Sequence, residues 1–213
     1  MPQPADILAA ARTLGRELTP AQAEKLARYL GLLVKWNRAM NLVGKRDWRS
    51  IFDTLVVDSL YLADFLAGLG QERVSLDLGA GAGLPGIPLR ILREVGEYWL
   101  VESREKRAVF LRQAVAELGL ARATVFHGRA ETLRETVPPA DRIVSRAFMP
   151  WPRLLPFVRG MLASDGAVIV LSNDPSPPAS AVPGGWSLAA SAGYPAAGRE
   201  RHFLAFTPES ISR

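Results

Sequence analysis

Residues 74–88 leave few folds open to this chain. They read Val-Ser-Leu-Asp-Leu-Gly-Ala-Gly-Ala-Gly-Leu-Pro-Gly-Ile-Pro. The apolar run Val74–Leu78, with Asp77 near its end, has the character of a buried strand. Gly79, Gly81 and Gly83 follow at alternate positions, and a helical pattern begins after them. A strand, a loop almost bare of side chains and a helix start, in that order, let a ligand approach backbone N–H groups that nothing shields.

The chain on either side has two textures. Residues 4–15 carry helical spacing with Gly15 as a stop, and Thr19-Pro20 opens a second helix as N-cap and first-turn proline. Its stripe is Ala23, Leu26, Ala27, Leu30, Leu33 and Val34, and the pattern ends at Asn41-Leu42 before Gly44. A third helix is predicted from Asp47 or Ser50 to about Leu66, burying Ile51, Leu55, Val56, Leu60 and Leu62. Residues 1–72 are therefore expected to form a helical lobe. Beyond them short apolar runs at 74–78, 98–101, 123–126, 142–144 and 167–171 alternate with helical patterns at 106–118, 130–136 and 151–162. A turn is expected at Asp165-Gly166 and a loop over residues 175–185. Residues 186–190 and 202–206 then read as a closing hairpin, with no helix between them. The prediction is an α/β fold: a doubly wound, seven-stranded Rossmann-like sheet spanning 73–213, with the N-terminal helical lobe packed beside it. Five strands alternating with helices and two without is the sheet plan of S-adenosylmethionine-dependent methyltransferases, whose last strand runs antiparallel.

Composition narrows the chemistry. The chain has no cysteine and two histidines, which removes disulfides, thiolate metal sites and cysteine nucleophiles, and no metal site is expected. A formal charge of +5 and a pI near 10.0, carried mostly by arginine, permit a nucleic-acid partner without requiring one. No apolar run reaches the length of a membrane span and the start lacks a signal-peptide plan, so a cytoplasmic protein is expected.

Two ligands compete for the glycine loop. Gly81-Ala-Gly83-Leu-Pro-Gly86 satisfies the dinucleotide pattern G-x-G-x-x-G, with Glu102 about twenty residues on from the loop. Asp77 beside the loop would repel a pyrophosphate, whereas it suits the ammonium and sulfonium of S-adenosylmethionine. Glycines that serve structure alone are the third possibility. Glu102 closes the second strand, where a carboxylate accepts ribose hydroxyls in either cofactor; otherwise it pairs at the surface with Arg104 or Lys106. Ala130 and Glu131 fall where adenine lies in a doubly wound sheet, although an acid there also favours a helix start. Arg146, after the fourth strand, falls beside the expected position of the transferable methyl.

These residues resemble a known family. Trp36-Asn37 with Asn41-Leu42, Asp58-Ser59-Leu60, the run from Asp77 to Pro88, Lys106-Arg107 with Phe110-Leu111, Arg129-Ala130-Glu131 and Ser145-Arg146-Ala147-Phe148 stand in the order and spacing of the bacterial small-subunit ribosomal RNA guanine-N7 methyltransferases, also called glucose-inhibited division protein B. The resemblance runs from about Leu30 to Phe206. It implies S-adenosylmethionine as methyl donor, with cofactor contacts on Gly79, Leu84, Ala130, Glu131 and Arg146. The acceptor it implies is a guanine in the decoding region of small-subunit rRNA, as naked RNA or in the small ribosomal subunit. The full set expected at the cofactor is Asp77, Gly79, Gly81, Gly83, Leu84, Glu102, Ala130, Glu131 and Arg146. Arg146 and Asn41 are the candidates for positioning the base, and Trp36 is expected to anchor the lobe to the sheet.

The chain departs from the family pattern in three places. Thr54 and Leu55 stand where the family has Arg-His, Ser172-Asn173 where it has Lys-Gly, and Val43 where it has threonine. Guanine N7 carries a free lone pair, so its methylation needs positioning and no general base. That accords with a chain lacking cysteine and the Asn/Asp-Pro-Pro-Tyr motif of exocyclic-amine methyltransferases. Methylation of another RNA or a small molecule, and RNA binding without catalysis, are the alternatives. A monomer without membrane contact is expected.

Overall fold

Side chains write the helix starts of the N-terminal lobe. The computed structural model describes residues 1–209, and α1 spans Pro4–Arg12. In α2, Pro20–Met40, the Thr19 hydroxyl accepts from the Gln22 N–H at 3.2 Å while the Gln22 side chain accepts from the Thr19 N–H at 2.9 Å, a reciprocal cap. It stops at Asn41, which takes a left-handed φ of 47°. Asn37 staples the exit loop: its Oδ1 accepts from the Val43 N–H and its Nδ2 donates to the Lys45 carbonyl. Asp47 then caps α3, Trp48–Ile51, which runs on through one π-helical turn, Phe52–Val56, into α4, Val57–Ala67. The sequence predicted an unbroken α-helix here. The extra residue in the π turn, whose last bond runs from the Val57 N–H to the Phe52 carbonyl, leaves no periodicity signal in so short a stretch.

The sheet comprises β1 Val74–Leu78, β2 Glu97–Glu102, β3 Ala123–His127, β4 Ala140–Ser145, β5 Leu162–Ser172, β6 Trp186–Ala196 and β7 Arg199–Pro208. Its order is β3-β2-β1-β4-β5-β7-β6, parallel through β5, with β7 antiparallel to both neighbours. Between the strands lie α5, Gly86–Leu92, α6, Glu105–Leu118, and α7, Trp151–Val158. The chain winds outward from β1 to β3 and then returns to the other side of β1 with β4. The crevice at their carboxyl ends is thus the topological switch point, where such sheets bind ligands.

Alternation along each strand divides the core into two clusters. Leu76, Val101, Ile143, Val168 and Phe206 face α7 and Leu133, while Leu100, Val144, Ile169 and Phe203 share the other cluster with α5, α6 and the helical lobe. Leu30, Leu33, Phe52 and Leu62 belong to that second cluster, so lobe and sheet bury one continuous core. Further elements differ from expectation: α7 stops at Val158 rather than running to 162, and β6 and β7 extend well beyond the predicted 186–190 and 202–206. β5 begins five residues early, and the expected turn at Asp165-Gly166 is an irregularity within it: Ala140 pairs with Leu162 but Arg142 with Ala167, and a Cβ on Gly166 would lie 2.8 Å from the Ala140 carbonyl. The segment expected as a helix at 130–136 is a 3₁₀ turn, Ala130–Glu135.

Candidate active site

Two cavities open at the switch point. The first, about 330 Å³, is lined by Gly79, Glu102, Arg107, Ala130, Glu131 and Phe148 among others. The N–H groups of Gly79 and Ala80 both donate to the Val101 carbonyl, at 2.9 and 3.0 Å, which turns the chain sharply off β1. Gly79 has φ +71°, and a Cβ on it would lie 2.9 Å from Phe148 Cδ2, so the ring and the bare backbone share one wall. Glu102 is 5% exposed; its carboxylate accepts from the Gly81 N–H at 2.9 Å and the Arg104 N–H at 2.8 Å. Among the described residues it forms no ion pair with Arg104 or Lys106. Two lone-pair directions remain for a ligand's hydroxyls, which fits the ribose of a nucleoside cofactor.

The rest of the glycine loop lies behind the cavity walls. Gly81, Gly83 and Leu84 line neither cavity. A Cβ on Gly83 would lie 2.7 Å from Ile87 Cγ1, and Leu84 is buried ahead of a cis peptide bond to Pro85. The helical lobe clasps this loop from outside: the Tyr29 hydroxyl donates to the Ala82 carbonyl at 2.8 Å and the Ser59 hydroxyl to the Pro85 carbonyl at 3.0 Å.

Asp77 also lines neither cavity. Alternation along β1 turns it toward α5, where it is 1% exposed and its Oδ2 has no hydrogen-bond partner among the described residues. Gly86 lies against it; a Cβ there would strike that oxygen and come within 2.6 Å of Leu100 Cδ2. Burial pushes the Asp77 carboxyl up to about 7, against the opposing pull of the Arg146 guanidinium. The repulsion of a pyrophosphate inferred from sequence is thus weakened, because burial disfavours the charged form of the carboxyl beneath the loop.

The second cavity, about 630 Å³, lies on the other side of the Ala147–Phe148 wall, which lines both. Leu55, Asp58, Arg146, Trp151, Ser172 and Arg201 are among its other lining residues. Asp58, in the apolar stretch Val56-Val57-Asp58, is 2% exposed and gathers three donors. Arg146 Nη1 reaches its Oδ2 at 3.2 Å, while Arg201 Nη1 and the Tyr194 hydroxyl reach its Oδ1 at 2.7 and 3.0 Å. Burial, and then the Asp58 charge, raise the Tyr194 phenol well above its ordinary value, so it stays protonated and donates.

The structure therefore brings Gly79, Glu102, Ala130 and Glu131 to one cavity and Arg146 to its neighbour. It does not bring Asn41 to either. Asn41 lines a third cavity of about 520 Å³ with Asn37, Arg38 and Arg46, because the α2 exit loop turns outward there. Trp36 packs edge-on against Phe110 of α6, ring centroids 5.6 Å apart, as a tie between lobe and sheet. The roles of Tyr194 and Arg201 in the second cavity were not read from the sequence. A lone acid within an apolar helical stripe signals that Asp58 needs partners, but Tyr194 lies 136 residues away and nothing local names it. Among the described residues no helix is long and apolar enough to cross a membrane, and no cluster of acids and histidines could hold a metal ion.

The chain is similar to known proteins over most of its length. The family model described as rRNA small subunit methyltransferase G matches residues 22–175. A ribosomal RNA small subunit methyltransferase G from Nitratidesulfovibrio vulgaris is 52% identical over 199 residues, covering 92% of this chain and 90% of that protein. The protein of the same name from Oleidesulfovibrio alaskensis is 44% identical over 204 residues, covering 91% and 89%. In fold, the chain is similar to an O-methyltransferase from Bacillus cereus solved in complex with SAH, with TM-score 0.64 at 16% identity, covering 97% of this chain and 100% of that one.

Proposed function

This chain belongs to the rRNA small subunit methyltransferase G family, and on that premise we propose that it transfers a methyl group from S-adenosylmethionine to N7 of a guanine in small-subunit ribosomal RNA. The observation that carries this reading is the pair of cavities at the switch point with Ala147–Phe148 as their common wall. One suits a nucleoside donor and the other an acceptor base, and the residues they share mark the boundary at which the donor's methyl and the base's N7 would meet in direct contact.

Gly79, Glu102, Ala130 and Glu131 are the residues that would hold the donor, with Glu102 offering its remaining lone pairs to the ribose hydroxyls. S-adenosylmethionine supplies an electrophilic sulfonium methyl: the N7 lone pair forms the new N–C bond as the C–S bond breaks and its electrons stay on sulfur. No proton leaves the base at N7. The acceptor cavity accordingly needs no free general base, and its one buried carboxylate, Asp58, is committed to two guanidiniums and a phenol. The work left to the protein is orientation and exclusion of water, worth several orders of magnitude in rate. The target guanine must be splayed from its stack to enter a cavity of this kind.

On this reading the protein acts in the cytoplasm as a monomer, on small-subunit rRNA or the assembled subunit, and its +5 charge favours that polyanion. Incubation with methyl-labelled S-adenosylmethionine and small ribosomal subunits lacking the modification is expected to place label in 7-methylguanosine; no transfer to any RNA overturns the reading. Leu55 and Ser172 in the cavity wall, where the family pattern has basic residues, support one alternative. It is a changed RNA target, and label confined to RNA other than small-subunit rRNA would select it.

A further inference from the structure

The first strand position of interest is not on the parallel part of the sheet. Because β7 runs antiparallel to β5, its beginning lies at the carboxyl ends of the parallel strands: His202 pairs with Ser172, the last residue of β5. Arg201, one residue earlier, therefore emerges at the ligand edge. On β6, Tyr194 is directly opposite it, so the two side chains share a face. Both reach the same oxygen of Asp58 on α4, at 2.7 and 3.0 Å.

Arg201 is pinned a second time. Its Nη1 also donates to the Thr54 carbonyl at 2.8 Å, within the π turn that precedes α4. One terminal nitrogen is thus fixed from two sides by backbone and by a buried carboxylate. Among the described residues, its Nε and Nη2 have no protein partner, and the residue lines the acceptor cavity. Arg146 also lines that cavity, but a single contact of 3.2 Å to the other Asp58 oxygen holds it more loosely. A donor fork whose orientation is settled before the ligand arrives discriminates better than one that must be ordered on binding.

On the edge of guanine that carries N7, the neighbouring group is the O6 acceptor; adenine has an amino donor in that place. N7 must stay free to attack, so recognition on this edge falls to O6 alone. We propose that Arg201 is the specificity-determining residue of the acceptor cavity, donating from its unpartnered nitrogens to guanine O6, with Asp58, Tyr194 and the Thr54 carbonyl as its positioning groups. The inference rests on the proposed guanine-N7 activity. It also gives the hairpin β6–β7 a task beyond closing the sheet. The product carries a positive charge on its imidazole ring, which the same guanidinium disfavours, so the contact that admits the substrate weakens once the methyl has moved.

The test uses small subunits assembled with rRNA that carries either guanine or 2-aminopurine at the methylated position. 2-Aminopurine keeps N7 and the 2-amino group and lacks O6. The full-length wild-type protein is compared with Arg201→Met and Tyr194→Phe. The expected result is that Arg201→Met lowers kcat/KM about 10- to 100-fold on guanine and little on 2-aminopurine, so that the preference for guanine collapses. Tyr194→Phe is expected to give an intermediate loss of the same preference, and affinity for S-adenosylmethionine, measured by calorimetry, to be unchanged in both. Equal losses on the two bases overturn the proposal. Should Arg201→Met bind the donor poorly, Tyr194→Phe decides alone, and a wild-type preference for guanine under it overturns the proposal. If wild type methylates neither base, it is the proposed function that fails.

Discussion

On the proposed function Glu102 has two duties, and both of its oxygens share them. Its carboxylate fixes the loop through the Gly81 and Arg104 N–H groups and keeps acceptor capacity for the donor's hydroxyls. Glu102→Gln substitutes an NH₂ for one of those oxygens, so one of the two N–H groups meets a donor. We expect affinity for S-adenosylmethionine to fall at least 10-fold by calorimetry, with about 1–2 kcal/mol of stability lost. Asp77 gives a prediction in pH. Its carboxyl titrates near 3.8 when unfolded and at about 7 in the fold because burial disfavours the charge. The folded state then binds the proton more tightly, and the stability it brings is complete below about pH 4 and lost as pH rises toward 7. Asp77→Asn removes that slope, which has a ceiling of roughly 4 kcal/mol. Urea midpoints measured from pH 4 to 8 should fall across the window in wild type and stay nearer level in the variant; parallel curves refute the assignment.

Among the elements, the helical lobe earns its place by holding the glycine loop. Tyr29→Phe takes away the hydroxyl that reaches the Ala82 carbonyl and leaves that buried oxygen unpaired. A loss of about 1–3 kcal/mol in thermal or urea unfolding is expected, together with weaker donor binding although Tyr29 touches no donor cavity. The order and kind of elements were legible in the sequence because strands and amphipathic helices each carry their own period, and caps such as Thr19 are local. The lining of the first cavity was legible for a similar reason: Gly79 follows β1, Glu102 closes β2, and Ala130 and Glu131 come within four residues of the end of β3. What escaped was set by distant partners. The π turn at Phe52–Val56 has no periodic signature, the early start of β5 depends on the pairing of Leu162 with Ala140 on β4, and the Asp58 cluster draws on α4, the residue after β4 and the last hairpin. Asn41 lies at the left-handed cap of α2 and lines a separate cavity, a placement its local sequence does not specify.

For the molecule as a whole, charge and division of labour matter more than any contact. Arg38 and Arg46 line a cavity of the helical lobe, away from both ligand cavities, and neither forms an ion pair among the described residues. If this face meets the phosphate backbone, Arg38→Gln and Arg46→Gln each weaken binding to small subunits without altering donor affinity. Each should also flatten the plot of log affinity against log salt by about one counterion, measurable by filter binding from low to physiological salt. An unchanged slope in both variants places the RNA elsewhere.

The partition at Ala147–Phe148 has one more consequence. On the proposed function, donor and acceptor would both touch Ala147 and Phe148, and two ligands that share residues are expected to alter each other's affinity. By how much the donor tightens or loosens the hold on RNA, by that factor RNA alters the hold on the donor. Phe148, whose ring rests on Gly79 and lines both cavities, is the side chain whose truncation to Ala is expected to change that factor, read as donor affinity with and without small subunits.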